Sequence, residues 1–353
     1  MKALWLQETG ATLELRDCPD PELRPGAVVV DVLSVRVPAN TRDVMAGKPP
    51  YDLPVPLIPG PACIGRIRKV GADVFDLEPG QIALCNSLLT SGEIDGSADE
   101  ILIGWTGNGT ERGRDMQAAW RHGSFAEQAI YPRDCVIPLP GAEQFDLARL
   151  SFLSSLAIAD AGLQRGGLQA GQKVLVIGAT GQLGSAAVLA ALARGAGRVG
   201  AIGRNKDRLD QLACLSSRMA PMAMAGAWSE DLPKAMGGVV DLVIDLTAHM
   251  DDSSPIMTGM KSLRPDGTAV LVGGQRGDLA LPYGWMMRNR IRLRGSFMFD
   301  RQMVDATWSL VAQGLLDLDP VRAQRFTLEQ MDHAIGVAST LGGLDIAALM
   351  PNG

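Results

Sequence analysis

The sequence lacks several features that mark whole classes of protein. Its five cysteines form no C-x-x-C pair and are scattered along the chain, as Cys18, Cys63, Cys85, Cys135 and Cys214. This pattern argues against a disulfide framework and is typical of a reducing compartment. No apolar run reaches the roughly 18 residues that a membrane span needs, and the first residues lack the apolar core of a signal peptide. We therefore expect a cytoplasmic protein without a membrane partner.

Long blocks of one charge are missing as well. The 33 basic and 39 acidic residues are interspersed and leave a net charge of −6. Nucleic-acid surfaces depend on concentrated basic charge, so we expect no nucleic-acid partner. The hydrophobic content of 46% and charged content of 20% are typical of a globular protein. Because single cores stop growing at roughly 250 to 300 residues, 353 residues predict two domains.

Residues 1–150 predict a compact, mostly antiparallel β domain. Short apolar segments alternate here with Pro-Gly turns; the strands are predicted at Leu13–Leu15, Ala27–Val35, Ile64–Val70 and Gln81–Leu84. A polar, glycine-rich lobe follows from Asn86 to Gly123, and its tryptophans, Trp105 and Trp120, either line a pocket or anchor the lobe.

Residues 151–300 alternate strand and helix patterns, which predicts an α/β domain of the Rossmann type with a parallel sheet. Its strands are predicted at Lys173–Gly178, Arg198–Gly203, Val239–Thr247, Thr268–Gly274 and Ile291–Phe297, with a weaker one near residues 219–225. Residues 301–353 are predicted to return to the first domain.

One stretch points to a nucleotide site. The apolar run Lys173–Ile177 leads into Gly178, Gly181 and Gly184, and a small-residue helix pattern follows. Such a turn lets the backbone approach a pyrophosphate and aims the N–H groups of the helix at it. Glycines also end strands for structural reasons alone, but the strand before and the helix after favour dinucleotide binding. The residues expected under the pyrophosphate are Thr180, Gly181, Gln182 and Leu183.

The residues at the end of the second predicted strand indicate which dinucleotide binds. An acidic residue there receives the ribose 2′-hydroxyl of NAD, whereas an arginine accommodates the phosphate of NADP. This chain has Gly203, Arg204 and Asn205, with no carboxylate, and Lys206 or Arg208 can assist Arg204. A charge-assisted bond of about 1.5 to 3 kcal/mol gives roughly a 10- to 150-fold preference. We therefore predict NADP as cofactor.

The nicotinamide end should lie beyond the carboxyl ends of later strands, where ligands bind in open parallel sheets. The residues expected beside the nicotinamide ribose are Thr247, Gly273, Gly274 and Gln275.

The order of a β domain, a lobe, Gly123-Ser124-Phe125-Ala126-Glu127, the glycine turn and Arg294-Gly295-Ser296-Phe297 resembles the medium-chain dehydrogenase/reductase superfamily over essentially the whole chain. The resemblance implies a GroES-like catalytic domain at 1–150 and 301–353, a Rossmann domain at 151–300 and a homodimer formed through the last strand of the sheet.

Zinc-dependent members of that superfamily carry three ligands that this chain lacks. Their cysteine corresponds to Asn40, their Gly-His-Glu to Gly60-Pro61-Ala62, and their third ligand falls near Ser154. The lobe also lacks the four cysteines of a structural zinc. His122, Cys63 and Cys85 are the nearby soft ligands but have no ligand spacing. We expect no metal.

The stretch Asn40-Thr41-Arg42-Asp43, followed by Tyr51, resembles the N-x-x-D…Y pattern of the zinc-free quinone and enoyl reductases. That resemblance implies Tyr51 as the proton donor and Asn40 as an orienting group near the nicotinamide. Tyr51 could equally be a loop residue without chemistry. Asp43 is interpreted as a structural acid rather than a base.

These observations predict an NADPH-dependent, zinc-free reductase that transfers hydride to a small molecule, an α,β-unsaturated carbonyl or a quinone. A catalytic zinc supplies several kcal/mol, and losing about 4 kcal/mol costs roughly a thousandfold in rate, so simple ketones are disfavoured. Two alternatives stay open: a zinc-independent alcohol dehydrogenase or carbonyl reductase, in which Ser154, Tyr51 or water polarises the ketone, and a non-catalytic NADPH-binding protein.

Overall fold

The computed structural model describes residues 1–92, 98–224, 228–248, 252–275 and 277–352. The chain divides into two compact units. Unit 1 contains Met1–Ser154, Leu318–Leu341 and Asp345–Gly353, and unit 2 contains Ser155–Asp317 and Gly342–Leu344.

Unit 1 is built on a seven-stranded sheet in the order β16-β17-β3-β4-β5-β9, with β8 also paired to β3. Two smaller sheets pair β1 with β2 and β6 with β7. The strands of unit 1 are β1 (Lys2–Trp5), β2 (Glu14–Asp17), β3 (Ala27–Val37), β4 (Cys63–Val70), β5 (Ile82–Cys85), β6 (Leu88–Thr90), β7 (Glu100–Leu102), β8 (Gln128–Pro132), β9 (Val136–Pro138), β16 (Arg322–Phe326) and β17 (Asp345–Leu349). Its helices are α1 (Thr41–Met45), α2 (Glu111–Ala119), α3 (Leu147–Leu150) and α11 (Met331–Ala338).

The long strand β3 organises the core of unit 1. It is rich in β-branched valines that are fully buried, which suits a strand covered on both faces. The lobe is attached to this core by Trp105, which is 6% exposed and meets Phe125 edge to face at 6.4 Å. Trp105 is therefore an anchor. Trp120 instead borders a surface cavity of unit 1, where the Arg24 guanidinium lies 3.9 Å from its ring centre.

Unit 2 is a six-stranded, all-parallel sheet in the order β12-β11-β10-β13-β14-β15, which confirms the predicted α/β fold. Its strands are β10 (Lys173–Ile177), β11 (Arg198–Gly203), β12 (Met219–Ala223), β13 (Val240–Asp245), β14 (Leu263–Leu271) and β15 (Arg292–Gly295). Its helices are α4 (Leu153–Gly166), α5 (Gln182–Ala193), α6 (Lys206–Ala213), α7 (Trp228–Met236), α8 (Ser254–Lys261), α9 (Tyr283–Asn289) and α10 (Arg301–Ala312). Across the described ranges, no helix combines the length and the apolar character that crossing a bilayer requires.

The main segment of unit 2 ends at Asp317, whereas residues 301–353 were predicted to belong to the first domain. The buried carboxylate of Asp160 on α4 explains the difference. It accepts hydrogen bonds from the Thr307 hydroxyl at 2.6 Å and the Gln164 amide at 3.0 Å, and it pairs with the Arg194 guanidinium. Because a buried carboxylate requires such partners, α10 is held against α4 and the end of α5.

Candidate functional site

The glycine turn of unit 2 joins β10 to α5 at the carboxyl edge of the sheet. Gly178 has a φ of +82°, which favours glycine, and its N–H donates to the Ile202 carbonyl at 3.0 Å. A side chain at Gly184 would collide with the Gly178 carbonyl oxygen, so close packing of helix and strand requires glycine there. The turn is thereby fixed to the neighbouring strand β11.

The start of α5 fits a phosphate group. The helix begins at Gln182, with Gly181 as its N-cap residue and no side chain capping it. Gly181 is exposed, and Gln182 and Leu183 are half-buried, so the first helical turn is accessible. N–H groups without a side-chain cap and the positive end of a twelve-residue helix are the features that an anion site requires. Thr180, whose side chain packs against Gly203, joins this turn to the end of β11.

The next part of the site lies at the end of β11, the second strand of unit 2, and in the residues that follow it. Gly203 is buried, and a Cβ there would collide with the Thr180 side chain, so the strand end carries no side chain. Arg204 is exposed. Asn205 caps α6, because its side-chain oxygen accepts the Arg208 N–H at 3.0 Å. This position thus presents basic charge and no carboxylate.

A loop that sequence reasoning missed contributes to the same place. Gly343 donates its N–H to the Thr180 carbonyl at 2.9 Å, and the Arg208 guanidinium lies directly against Gly342. A side chain at Gly342 would collide with that guanidinium. The only sequence signal was the pair of adjacent glycines, and nothing in their spacing indicates which segment they approach.

The ends of β13 and β14 carry a buried polar chain. Asp245 is 1% exposed, and its Oδ1 accepts the Thr247 N–H at 3.1 Å and the Thr247 hydroxyl at 2.7 Å. The Gln275 amide in turn donates to Thr247 Oγ1. Burial raises the pKa of the Asp245 carboxyl. Asp245 was not predicted as a site residue, since an acidic residue closing a strand has no distinctive pattern.

The backbone brings these side chains together. Both Val272 and Gly273 donate their N–H groups to the Asp245 carbonyl at 3.0 Å, and a Cβ on Gly273 would collide with the Thr247 carbonyl oxygen. Gly274 has open space around it. Asp245, Gly273 and Gln275 line a cavity of about 230 Å³ within unit 2.

In unit 1 the predicted catalytic pair is in contact. Asn40 precedes α1, but its side chain does not cap the helix and instead donates from Nδ2 to the Tyr51 hydroxyl oxygen at 2.6 Å. Both residues are half-buried. Because the Tyr51 oxygen accepts this bond, its own O–H is available as a donor. Asp43 forms an ion pair with Lys48 at 2.6 Å.

The residues that correspond to the zinc ligands of zinc-dependent relatives are not ones that bind zinc. Asn40, Pro61 and Ser154 supply neither a thiolate nor an imidazole nor a carboxylate. His122 uses Nδ1 to accept the Ile58 N–H at 3.0 Å, and Cys63 packs within 3.6 Å of the Tyr131 hydroxyl. Among the residues described, no three His, Cys, Asp or Glu side chains gather as metal ligands.

Comparison with known proteins agrees with this architecture. The alcohol dehydrogenase GroES-like domain model matches residues 24–141, and the zinc-binding dehydrogenase model matches residues 183–313. An alcohol dehydrogenase of Rhizobium meliloti (strain 1021) is 26% identical over 315 residues, 89% of each chain.

Solved structures share the fold. The crystal structure of AibC has a TM-score of 0.83 at 21% identity and covers 100% of this chain and 96% of that one. A candidate zinc-binding dehydrogenase from Sinorhizobium meliloti 1021, bound to NADP, has a TM-score of 0.81 at 21% identity, with 99% of each chain covered.

Together the two domain matches and the relatives support membership of the medium-chain dehydrogenase/reductase superfamily. The matching models and relatives are those of dehydrogenases, which supports an oxidoreductase.

Proposed function

We propose that this chain is an NADPH-dependent reductase that works without zinc and adds hydride to an α,β-unsaturated carbonyl or a quinone. The observation that carries the proposal is the Asn40–Tyr51 hydrogen bond of 2.6 Å, which stands where zinc-dependent relatives have a metal-binding cysteine. Gly203 ends β11 without a carboxylate, and the next residue, Arg204, is basic. Both features support NADP rather than NAD as the cofactor.

Gly181, Gln182 and Leu183 would hold the pyrophosphate of NADPH and Arg204 its 2′-phosphate, and the bound cofactor would supply a hydride to an electrophilic carbon of the substrate. Electron density then collects on the carbonyl or quinone oxygen. The Tyr51 O–H donates a hydrogen bond and then a proton to that oxygen or to the resulting enolate. Asn40 fixes the Tyr51 oxygen as an acceptor and so directs its O–H away from the amide. A substrate that is already electrophilic needs no further polarisation by a Lewis acid.

The test combines metal analysis with a substrate panel. The purified protein should hold less than stoichiometric zinc and should oxidise NADPH in the presence of enones and quinones, with little turnover of simple ketones. One tightly bound transition metal per chain would contradict the zinc-free mechanism. Tight NADPH binding without oxidation by any acceptor would favour a non-catalytic binding protein.

A second candidate is a zinc-independent carbonyl reductase or alcohol dehydrogenase. The alcohol dehydrogenase of Rhizobium meliloti, which matches 89% of the chain, favours it. The same Tyr51 hydroxyl would polarise a ketone. Turnover would be slower than in a zinc enzyme, because a hydroxyl polarises the carbonyl less than a metal ion does. Turnover of ketones alone in the panel would select this candidate over the first.

We also propose that the chain forms a homodimer through β15, the strand at one edge of the unit 2 sheet. Unpaired edge strands tend to pair with another chain. Exposed apolar side chains occur near β15 in sequence: Leu281 at 43%, Tyr283 at 81%, Met287 at 60% and Phe297 at 60%. Light scattering that gave a monomer mass at micromolar concentration would contradict this proposal.

A further inference from the structure

The surface cavity of unit 1 that Trp120 borders has the size of a small-molecule site. Its volume is about 730 Å³, and such sites span roughly 300 to 1,000 Å³. Most of its wall is apolar, and the apolar lining residues include Pro19, Pro21, Leu23, Pro56, Ile58 and Ile130. Neither Asn40 nor Tyr51 lines it, so the cavity is separate from the proposed catalytic pair.

His122 gives this wall a hydrogen-bond donor of fixed direction. Its Nδ1 accepts the Ile58 N–H at 3.0 Å, so the neutral ring carries its proton on Nε2. Burial, and then the nearby Arg121 charge, lowers the pKa of the imidazole, which keeps the ring neutral near pH 7. None of the residues that the structure describes provides a hydrogen-bond partner for Nε2. The Nε2–H is therefore available to a ligand.

Two arginines add positive charge to the same wall. The Arg24 guanidinium lies 3.9 Å from the centre of the Trp120 ring and donates from Nη2 to the Ala119 carbonyl, which fixes its position. Arg121 lines the cavity next to His122 in the chain. Within the described ranges, neither Arg24 nor Arg121 forms an ion pair with a carboxylate.

The acidic side chains of the wall, Asp20 and Glu22, do not neutralise these arginines. Asp20 pairs with the amino group of Met1 at 3.0 Å, and Glu22 is exposed to solvent. The cavity therefore combines an apolar wall, an N–H donor and two arginine charges that no carboxylate compensates. This combination suits an apolar anion.

We propose that this cavity binds a small carboxylate that carries a flat apolar group, as in an aromatic acid. Arg121 and the Nε2–H of His122 hold the carboxylate, and Arg24 adds a second positive charge. The apolar group lies against Trp5, whose ring centre is 5.8 Å from that of His122, and against the proline-rich wall. A carboxylate only accepts hydrogen bonds, which matches polar groups that only donate. The site is independent of the proposed reductase activity.

Calorimetric titration with 2-naphthylacetate tests the site, and 2-naphthylacetamide serves as the uncharged ligand of the same shape. We expect the wild type to bind the acetate about tenfold more tightly than the amide, the effect of one charge-assisted hydrogen bond. Arg121→Gln should weaken acetate binding about tenfold and change amide binding less than about twofold. Arg114→Gln is the matched control, because Arg114 is an exposed arginine of α2 outside the cavity wall, and it should change neither Kd.

NMR of the imidazole ring of His122 reports where the ligand binds. The sequence contains three histidines, so comparison with His122→Asn assigns the His122 resonances. Asparagine can still accept the Ile58 N–H but has no donor at the position of Nε2, so this variant should weaken acetate binding several-fold. Saturating acetate should shift the His122 resonances of the wild type more than those of the other two histidines. Thermal unfolding of each variant shows whether the fold is intact.

Equal affinity of the wild type for acetate and amide, or no acetate binding at millimolar concentration, would overturn the inference. So would an unchanged acetate Kd in both Arg121→Gln and His122→Asn, or His122 resonances that stay in place at saturation, because the ligand would then bind elsewhere on the chain. None of these measurements involves NADPH or turnover, so failure of this site and failure of the proposed function are distinguishable.

Discussion

Replacement of Arg204 by alanine tests the choice of cofactor most directly. Arg204 is exposed at the end of β11, beside Gly203, where no acidic side chain competes for a ribose hydroxyl. A charge-assisted hydrogen bond to the 2′-phosphate contributes about 1.5 to 3 kcal/mol, and solvent exposure favours the lower value. We therefore expect Arg204→Ala to weaken NADPH binding about tenfold and to change NADH binding less than about twofold.

The assay is a fluorescence titration of both reduced cofactors, with Lys261→Ala as the control because Lys261 is also an exposed basic residue but lies in the last turn of α8. Since salt screens exposed charges, the preference of the wild type for NADPH should shrink between low and high ionic strength. In Arg204→Ala, the preference for NADPH over NADH should be small and should change little with ionic strength. Equal losses for NADH and NADPH would refute the assignment of Arg204 to the phosphate.

Three further substitutions have defined outcomes. Tyr51→Phe should lower turnover about 100-fold or more with unchanged NADPH affinity; full turnover would move proton delivery to another group. Asp160→Ala should destabilise the fold by about 3 to 5 kcal/mol in chemical denaturation, since it leaves the Arg194 charge without its buried partner; a loss below about 1 kcal/mol would contradict this. For Asp245, the native pKa is raised, so its contribution to stability is fully present below the unfolded pKa of about 3.9 and is lost as pH rises through the native value. Asp245→Asn should therefore gain stability relative to the wild type as pH rises, and a constant difference would contradict the burial argument.

The parts of the fold that local patterns determine were predictable. The alternation of apolar runs and helices between Lys173 and Gly295 requires a parallel sheet, because each crossover must bury its helix against the strands. Of the glycines that mark the turn, Gly178 is required by its positive φ and Gly184 by its contact with the Gly178 carbonyl oxygen, whereas a side chain at Gly181 would meet only ordinary contacts. The helix begins at Gln182, before the last of these glycines, because its first turn carries no side-chain cap that the sequence could signal.

Contacts between distant segments were not predictable. The attachment of α10 to α4 depends on one buried carboxylate, Asp160, whose partners lie up to 147 residues away. Likewise, the hydrogen bond between Gly343 and Thr180 joins two residues that most of unit 2 separates in the sequence. Such pairs have no periodicity to detect. The contact between Asn40 and Tyr51 is an intermediate case, because resemblance to a known pattern placed both residues in one site before their hydrogen bond was seen.

The pairing of β17 with β3 has a consequence for the order of synthesis. Residues 35–37 of β3 take Ala347–Leu349 as neighbours, so a strand synthesised early has to wait for a segment that follows all of residues 155–317. Segments 155–317 of unit 2 can fold while unit 1 is still unfinished, because domains generally fold as units during translation. Until residues 347–349 have been synthesised, that stretch of β3 is an unpaired strand edge, and we expect chaperones to protect it in the nascent chain.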